Sequence, residues 1–205
     1  MPETMVIIEQ LVKAEYAKIF ITSDWRLFKR MADAQFKEAA FLKKSDMEVE
    51  AAFKLLARNS RKRLLIGIGA ELLLKAIYLK HGYCINKAER ERSLPFPFTA
   101  SDALSHETSL LETETFTLNK LIDHLFGVVQ FSDRTTVLEG LKVAKVFRNK
   151  EGHVVTKTQT FNASDYRRIE ASLVHLYEHA FAESLAIRFS MAPHEKPTWR
   201  ISRIS

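Results

Sequence analysis

Between Ser45 and Lys80 the chain has no proline, and this run limits the possible architecture more than any other stretch. Ser45-Asp46-Met47-Glu48 has the form of a capping box, with a serine that can accept from the first turn and a glutamate three residues on that can reach back. A helix from there to Lys80 would be roughly 50 Å long at 1.5 Å per residue, the spine of an ordinary domain. His81-Gly82 supplies the stop, since glycine takes the left-handed conformation that closes many helices. The segment Leu64 to Leu79 is the most apolar part, but it holds Glu71 and Lys75 and is too short to span a bilayer. It is therefore expected to be a buried helix.

The segments around the spine also have helical spacing. Residues 4–20 are loosely amphipathic. After Ser23 or Asp24 as a cap, Trp25, Phe28, Met31, Ala32, Phe36, Ala39 and Ala40 recur every three to four residues. Residues 82–116 read as irregular, with Pro95 and Pro97 flanking Phe96, and a loop of that length is usually functional or mobile. Thr117 can cap a short helix over Leu118–Phe126. A further helix is expected over Arg134–Phe147 with Val137, Leu141 and Ala144 facing inward, and Ser164 can cap a last one whose stripe is Ile169, Leu173, Leu176, Ala180 and Phe181. With 6 glycines and 5 prolines there are few turn signals for strands, so the expected class is all-α. The expected organisation is one domain over residues 1–205: N-terminal helices at about 4–44, a core at about 45–190 and a loose tail at 191–205.

The formal net charge is +6, unevenly spread. Residues 54–92 hold ten basic groups against three acids, while residues 101–130 hold five acids against Lys120. This asymmetry permits an anionic partner on one face, although most charge runs are solvated helix faces. Arg58, Arg61, Lys62 and Arg63 are the densest cluster and could steer RNA. The single Cys84 excludes an internal disulfide and fits a reducing, cytoplasmic setting, and no signal peptide is expected because Glu3, Glu9 and Lys13 interrupt any apolar run.

Several candidate sites can be set aside. Gly67-Ile68-Gly69 is not a dinucleotide loop, because no strand precedes it and position 72 is leucine; small residues there suit close helix packing. His175 and His179 are one turn apart, a spacing that can bind metal, but they are expected on a polar face with Arg168 and Ser172, and no carboxylate-and-cysteine set completes a site. No metal and no cofactor are expected.

The remaining feature is Arg148-Asn149-Lys150-Glu151-Gly152-His153. Arg148 lies four residues past Ala144 and so continues an inward face, where a guanidinium needs a fixed anionic partner. Glu71 can supply one if it faces inward, or it can pair locally with Lys75 at i+4. An arginine and a histidine converging on one volume suit a phosphodiester, one holding charge and the other moving protons. The other reading of the same residues is a helix ending in basic groups that complement its dipole, with His153 in a surface turn.

A helix bearing Glu71-Leu-Leu-Leu-Lys75, followed by Arg148-Asn149-x3-His153 after a later helix, resembles the HEPN family over roughly Ser45 to Ser190. The resemblance implies an all-α bundle of four or more helices, to which this chain would add its long central helix and additional N-terminal helices, and a homodimer that brings two arginine–histidine motifs together. It further implies a metal-independent endoribonuclease of a toxin–antitoxin or phage-defence system, with RNA as substrate and an antitoxin as a possible protein partner. No membrane partner is expected, the apolar run being too short and too charged to span a bilayer. Carried over, Arg148 would hold the scissile phosphate, His153 would exchange protons with the 2′-hydroxyl or the leaving oxygen, and Asn149 would orient one of them, with Glu71 and Lys75 in support. Val155 stands where one branch of the family has a tyrosine that a partner enzyme modifies. Other relatives have lost catalysis, so a nucleotide- or RNA-binding or protein-assembly module is the alternative.

Overall fold

The computed structural model describes residues 24–42, 51–88, 94–99, 102, 111–151, 161–189 and 196–204. The first expected helix, the capping box at Ser45 and the segment 152–160 lie outside them. The elements run α1 (Trp25–Phe41), α2 (Ala51–Lys80), β1 (Asn86–Ala88), β2 (Leu111–Thr115), α3 (Leu118–Val128), α4 (Arg134–Glu151), α5 (Ala163–Phe181), β3 (Glu183–Arg188) and β4 (Thr198–Arg203). Among the described residues no helix is long and apolar enough to cross a membrane.

The expectation of an all-α HEPN-like bundle is corrected here: the chain is rich in helix but also carries two antiparallel two-stranded sheets, β1–β2 and β3–β4. The expected loose tail contains β4, which pairs with β3 from Glu183↔Arg203 to Arg188↔Thr198. The physical reason is local. Ala182 closes α5 in the left-handed region (φ 54°), without the glycine that usually marks such a stop. Thr198, Trp199 and Ile201 are strand formers in an alternating segment, and Trp199 leans on Phe36 (ring centroids 5.9 Å apart) and Tyr177 (6.1 Å), which holds the ribbon in place.

The chain divides into two compact units. One comprises Met1–Lys29 and Leu74–Val128. In it Gly82 ends α2 with φ 82°, as its position required. The next segment is more ordered than its composition indicates. Cys84 N–H donates to the Phe98 carbonyl at 2.9 Å and Phe116 N–H to the Ile85 carbonyl at 2.8 Å, both at the end of the β1–β2 pair where β1 begins. Phe96, Phe98 and Phe116 are buried beside Tyr78, whose hydroxyl donates to the Leu121 carbonyl at 2.8 Å. Leu118, Leu121, Ile122 and Leu125 of α3 are buried, the face expected from their spacing.

The other unit comprises Arg30–Leu73 and Val129–Ser205, and contains α4, α5 and the β3–β4 ribbon. Val137, Leu141, Ala144 and Phe147 form the buried stripe of α4. Gly140 lets α5 come close: a Cβ there would collide with Ser172 Cβ and the Arg168 carbonyl. Ser172, expected on a polar face, is instead buried and donates to the Val137 carbonyl at 2.9 Å. The N-cap of α5 is Asn162 rather than Ser164. Its side chain accepts from Ser164 N–H at 2.8 Å while Asp165 accepts from Asn162 N–H at 3.0 Å, a full capping box.

Candidate functional site

Helix α4 continues past Phe147, its expected end, to Glu151, so Arg148 and Asn149 are helical residues. Where Arg148 sits, α4 meets α2 at unusually short range. A Cβ on Gly67 would stand 2.5 Å from Arg148 Cβ and 2.6 Å from its backbone nitrogen, so only glycine allows this approach. Gly69 has a comparable role toward α1, since a Cβ there would be 2.7 Å from the Phe36 ring. The small residues of the Gly67-Ile68-Gly69 segment therefore serve helix packing.

One turn beyond Gly67, Glu71 receives Arg148 Nε at 2.9 Å. The side chains are 15% and 45% exposed respectively, so the carboxylate is largely desolvated and the guanidinium is at the surface. Arg148 therefore lies at the core edge, and it has the anionic partner that position demands. Among the described residues only Nε of its donors is engaged, and the terminal NH2 groups are the pair that grips a phosphate bidentately. Asn149 is exposed, and His153 lies outside the described residues.

Arg63 stands on the same face of α2, one turn before Gly67. Its guanidinium lies 5.1 Å from the centroid of Phe161, and that ring packs edge-on against Phe147 at 4.8 Å. A second cation is thus held by aromatic contact near the end of α4. The rest of the expected basic cluster disperses. Arg58 donates to the Leu42 carbonyl at 3.0 Å, and Arg61 pairs with Glu38 at 2.6 Å. Lys62 is buried and donates to the Phe189 carbonyl at 2.8 Å. Burial, with Arg58 adding repulsion, lowers the Lys62 pKa to about 8, and nearby Glu170 opposes the shift. Lys75 is half-buried in the first unit.

A second polar cluster lies on α5. One ring nitrogen each of His175 and His179 and a carboxylate oxygen of Glu178 lie within 4.8 Å of one another. The reading of the histidine pair alone missed the carboxylate. Its signal was present in His175-Leu176-Tyr177-Glu178-His179, a His-x-x-Glu-His order found on zinc-binding helices.

Comparison of the chain with protein-family models, with curated proteins and with solved structures finds no match.

Proposed function

We propose that the chain is an endoribonuclease, acting in a toxin–antitoxin or phage-defence setting, whose reacting groups are Arg148 and His153. The observation that carries this reading is the Arg148–Glu71 pair. A largely desolvated carboxylate fixes a guanidinium at the surface end of a helix, and a histidine follows five residues later. Held through Nε, Arg148 presents its remaining donors to a phosphate without first losing side-chain freedom. Arg63 adds a second cation for the same strand.

In the proposed reaction the 2′-hydroxyl attacks the adjacent phosphorus. Its proton passes to a base, the new O–P bond closes a 2′,3′-cyclic phosphate, and the bond to the 5′-oxygen breaks as an acid protonates that oxygen. Arg148 compensates the charge that builds on the phosphoryl oxygens. His153 acts as base or acid, since an imidazole can change protonation state around neutral pH. The complementary proton carrier is His153 of a second copy, so the active species is a homodimer. Asn149, exposed one residue after Arg148, orients the phosphate or the histidine. No divalent metal takes part at the reacting atoms.

A short RNA and its 2′-deoxy counterpart, incubated with purified protein, test this. Cleavage of the RNA alone, with cyclic-phosphate products, is expected, together with its loss in His153→Ala and Arg148→Ala at unchanged helical content. Cleavage of the deoxy strand, or cleavage surviving both substitutions, would overturn the mechanism. A second reading has its own support: Glu71 already neutralises part of the Arg148 charge, which suits moderate RNA binding without catalysis. RNA bound but uncut, with affinity lowered by Arg148→Ala, would favour that reading.

A further inference from the structure

We propose that His175, Glu178 and His179 form a binding site for a divalent transition metal of the zinc type, separate from the Arg148 region. Three observations support it. First, positions i, i+3 and i+4 of α5 share one helix face, and their ligand-type atoms already lie within 4.8 Å of one another. Tetrahedral zinc with bonds of about 2.0–2.1 Å needs its ligands roughly 3.3 Å apart, a gap that side-chain rotation closes without moving the helix.

Second, His179 is oriented as a ligand would be. Its Nδ1 stands 3.0 Å from the His175 carbonyl, which as an acceptor fixes the Nδ1–H tautomer and puts the lone pair on Nε2. Phe131 holds the ring at a centroid distance of 5.5 Å, and Ser132 Oγ, 3.3 Å from that Nε2, donates to the lone pair in this tautomer and would have to yield it to a metal. Third, Nδ1 of His175 is buried and has no hydrogen-bond partner among the described residues. A buried imidazole nitrogen left without a partner is unfavourable, and a metal bound at Nδ1 itself would offset that.

The ligand set also narrows the ion. Two imidazoles and one carboxylate suit zinc, cobalt or nickel, whereas calcium and magnesium require mostly oxygen ligands. His175 is near enough to Asp133 to influence that carboxylate, which caps α4 through Thr136. The site therefore lies by the N-terminal end of α4. Arg148 is near the other end, about 20 Å further along the helix.

The 205-residue chain, stripped by chelator and dialysed, would be titrated with zinc chloride by calorimetry. One zinc per chain is expected, with loss of binding in His175→Ala and in His179→Ala. Glu178→Gln should weaken binding at least by the roughly tenfold that loss of an outer partner costs. Far-UV circular dichroism of each variant separates loss of a ligand from loss of fold. If the histidine variants are poorly folded, cobalt added to the unaltered chain gives an independent readout, the intense visible absorption of a four-coordinate site. Full zinc binding retained by both folded histidine variants, or only the faint spectrum of six-coordinate cobalt, would overturn the proposal.

Discussion

Replacing Gly67 with alanine tests how the Arg148 region is built. Elsewhere in a helix the change is favourable, since alanine is better than glycine by about 0.8–1 kcal/mol in helix propensity. Here the added carbon would stand 2.5, 2.6 and 2.7 Å from Cβ, N and Cα of Arg148. These atoms are backbone or fixed to it, so no rotamer change relieves the collision. Carbon atoms in contact sit about 3.5–4.0 Å apart, so the end of α4 must withdraw by roughly 1–1.5 Å. The Arg148–Glu71 bond at 2.9 Å would then stretch towards 4 Å, beyond hydrogen-bonding range. Overpacking of this kind costs about 1–3 kcal/mol, and the half-exposed ion pair adds at most about 1 kcal/mol. Set against the propensity gain, Gly67→Ala should be destabilised by about 1–2 kcal/mol in urea titrations followed by circular dichroism. Gly127→Ala is the control: a Cβ there meets nothing within 4 Å, so the same change should stabilise by up to about 1 kcal/mol. Gly67→Ala as stable as the parent chain, alongside a normal Gly127→Ala, would refute the close packing of α4 on α2.

Two further outcomes follow from buried charge. Lys62 has a folded-state pKa of about 8 against an ordinary 10.5, so between these values the unfolded chain binds more protons and the Lys62 contribution to stability rises with pH. Below about pH 8 the burial penalty is fully present. The Cys84 thiol, pushed up to about 11 by burial, acts in the opposite sense from about pH 9, so the informative quantity is the difference between the parent chain and Lys62→Met. That difference should favour the parent increasingly as urea midpoints are compared from pH 7 to pH 10, and a difference independent of pH would reject the assignment. Glu170 is buried and accepts from Arg188 Nη1 at 2.9 Å and from Phe189 N–H at 2.6 Å. Glu170→Gln should lose about 1.5–3 kcal/mol, the range for hydrogen bonds to a charged group, and an unchanged urea midpoint would contradict that role.

Helices of strong period were legible in the sequence, and the ends where a residue acts against its type were not. The burial of Leu118, Leu121 and Ile122, and of Val137, Leu141 and Ala144, follows directly from their spacing. The left-handed turn at Gly82 follows from glycine. Ala182 in the same conformation gives no compositional sign of a stop, so the strand pairing of Glu183–Arg188 stays hidden in the sequence. Ser172 misleads differently. A hydroxyl counts as polar in a periodic pattern, yet a donor that reaches the Val137 carbonyl is satisfied in the core. Of the candidate site, the inward choice of Glu71 was open in the sequence because Lys75 offered a local partner. Only the close approach at Gly67 brings Arg148 within reach.

The same contact geometry relates the two sites proposed above. Helix α4 packs on α5 through Gly140 and on α2 through Gly67, so α4 is tied near its middle and near its C-terminal end at places where a methyl group would not fit. A metal at His175 and His179 would therefore stiffen α5, against which α4, the helix that carries Arg148, is packed. Stiffness alone does not couple two sites. Coupling requires a second arrangement of α4 that metal and RNA favour unequally. Backbone contacts this close leave little room for sliding, since shifting α4 toward either neighbour would bring backbone atoms into collision. Zinc should accordingly raise the melting temperature by mass action on the folded state while leaving RNA affinity and cleavage unchanged. A change in RNA affinity on adding zinc, absent in His179→Ala, would show that α4 has a second position that the packing at Gly67 and Gly140 must then accommodate.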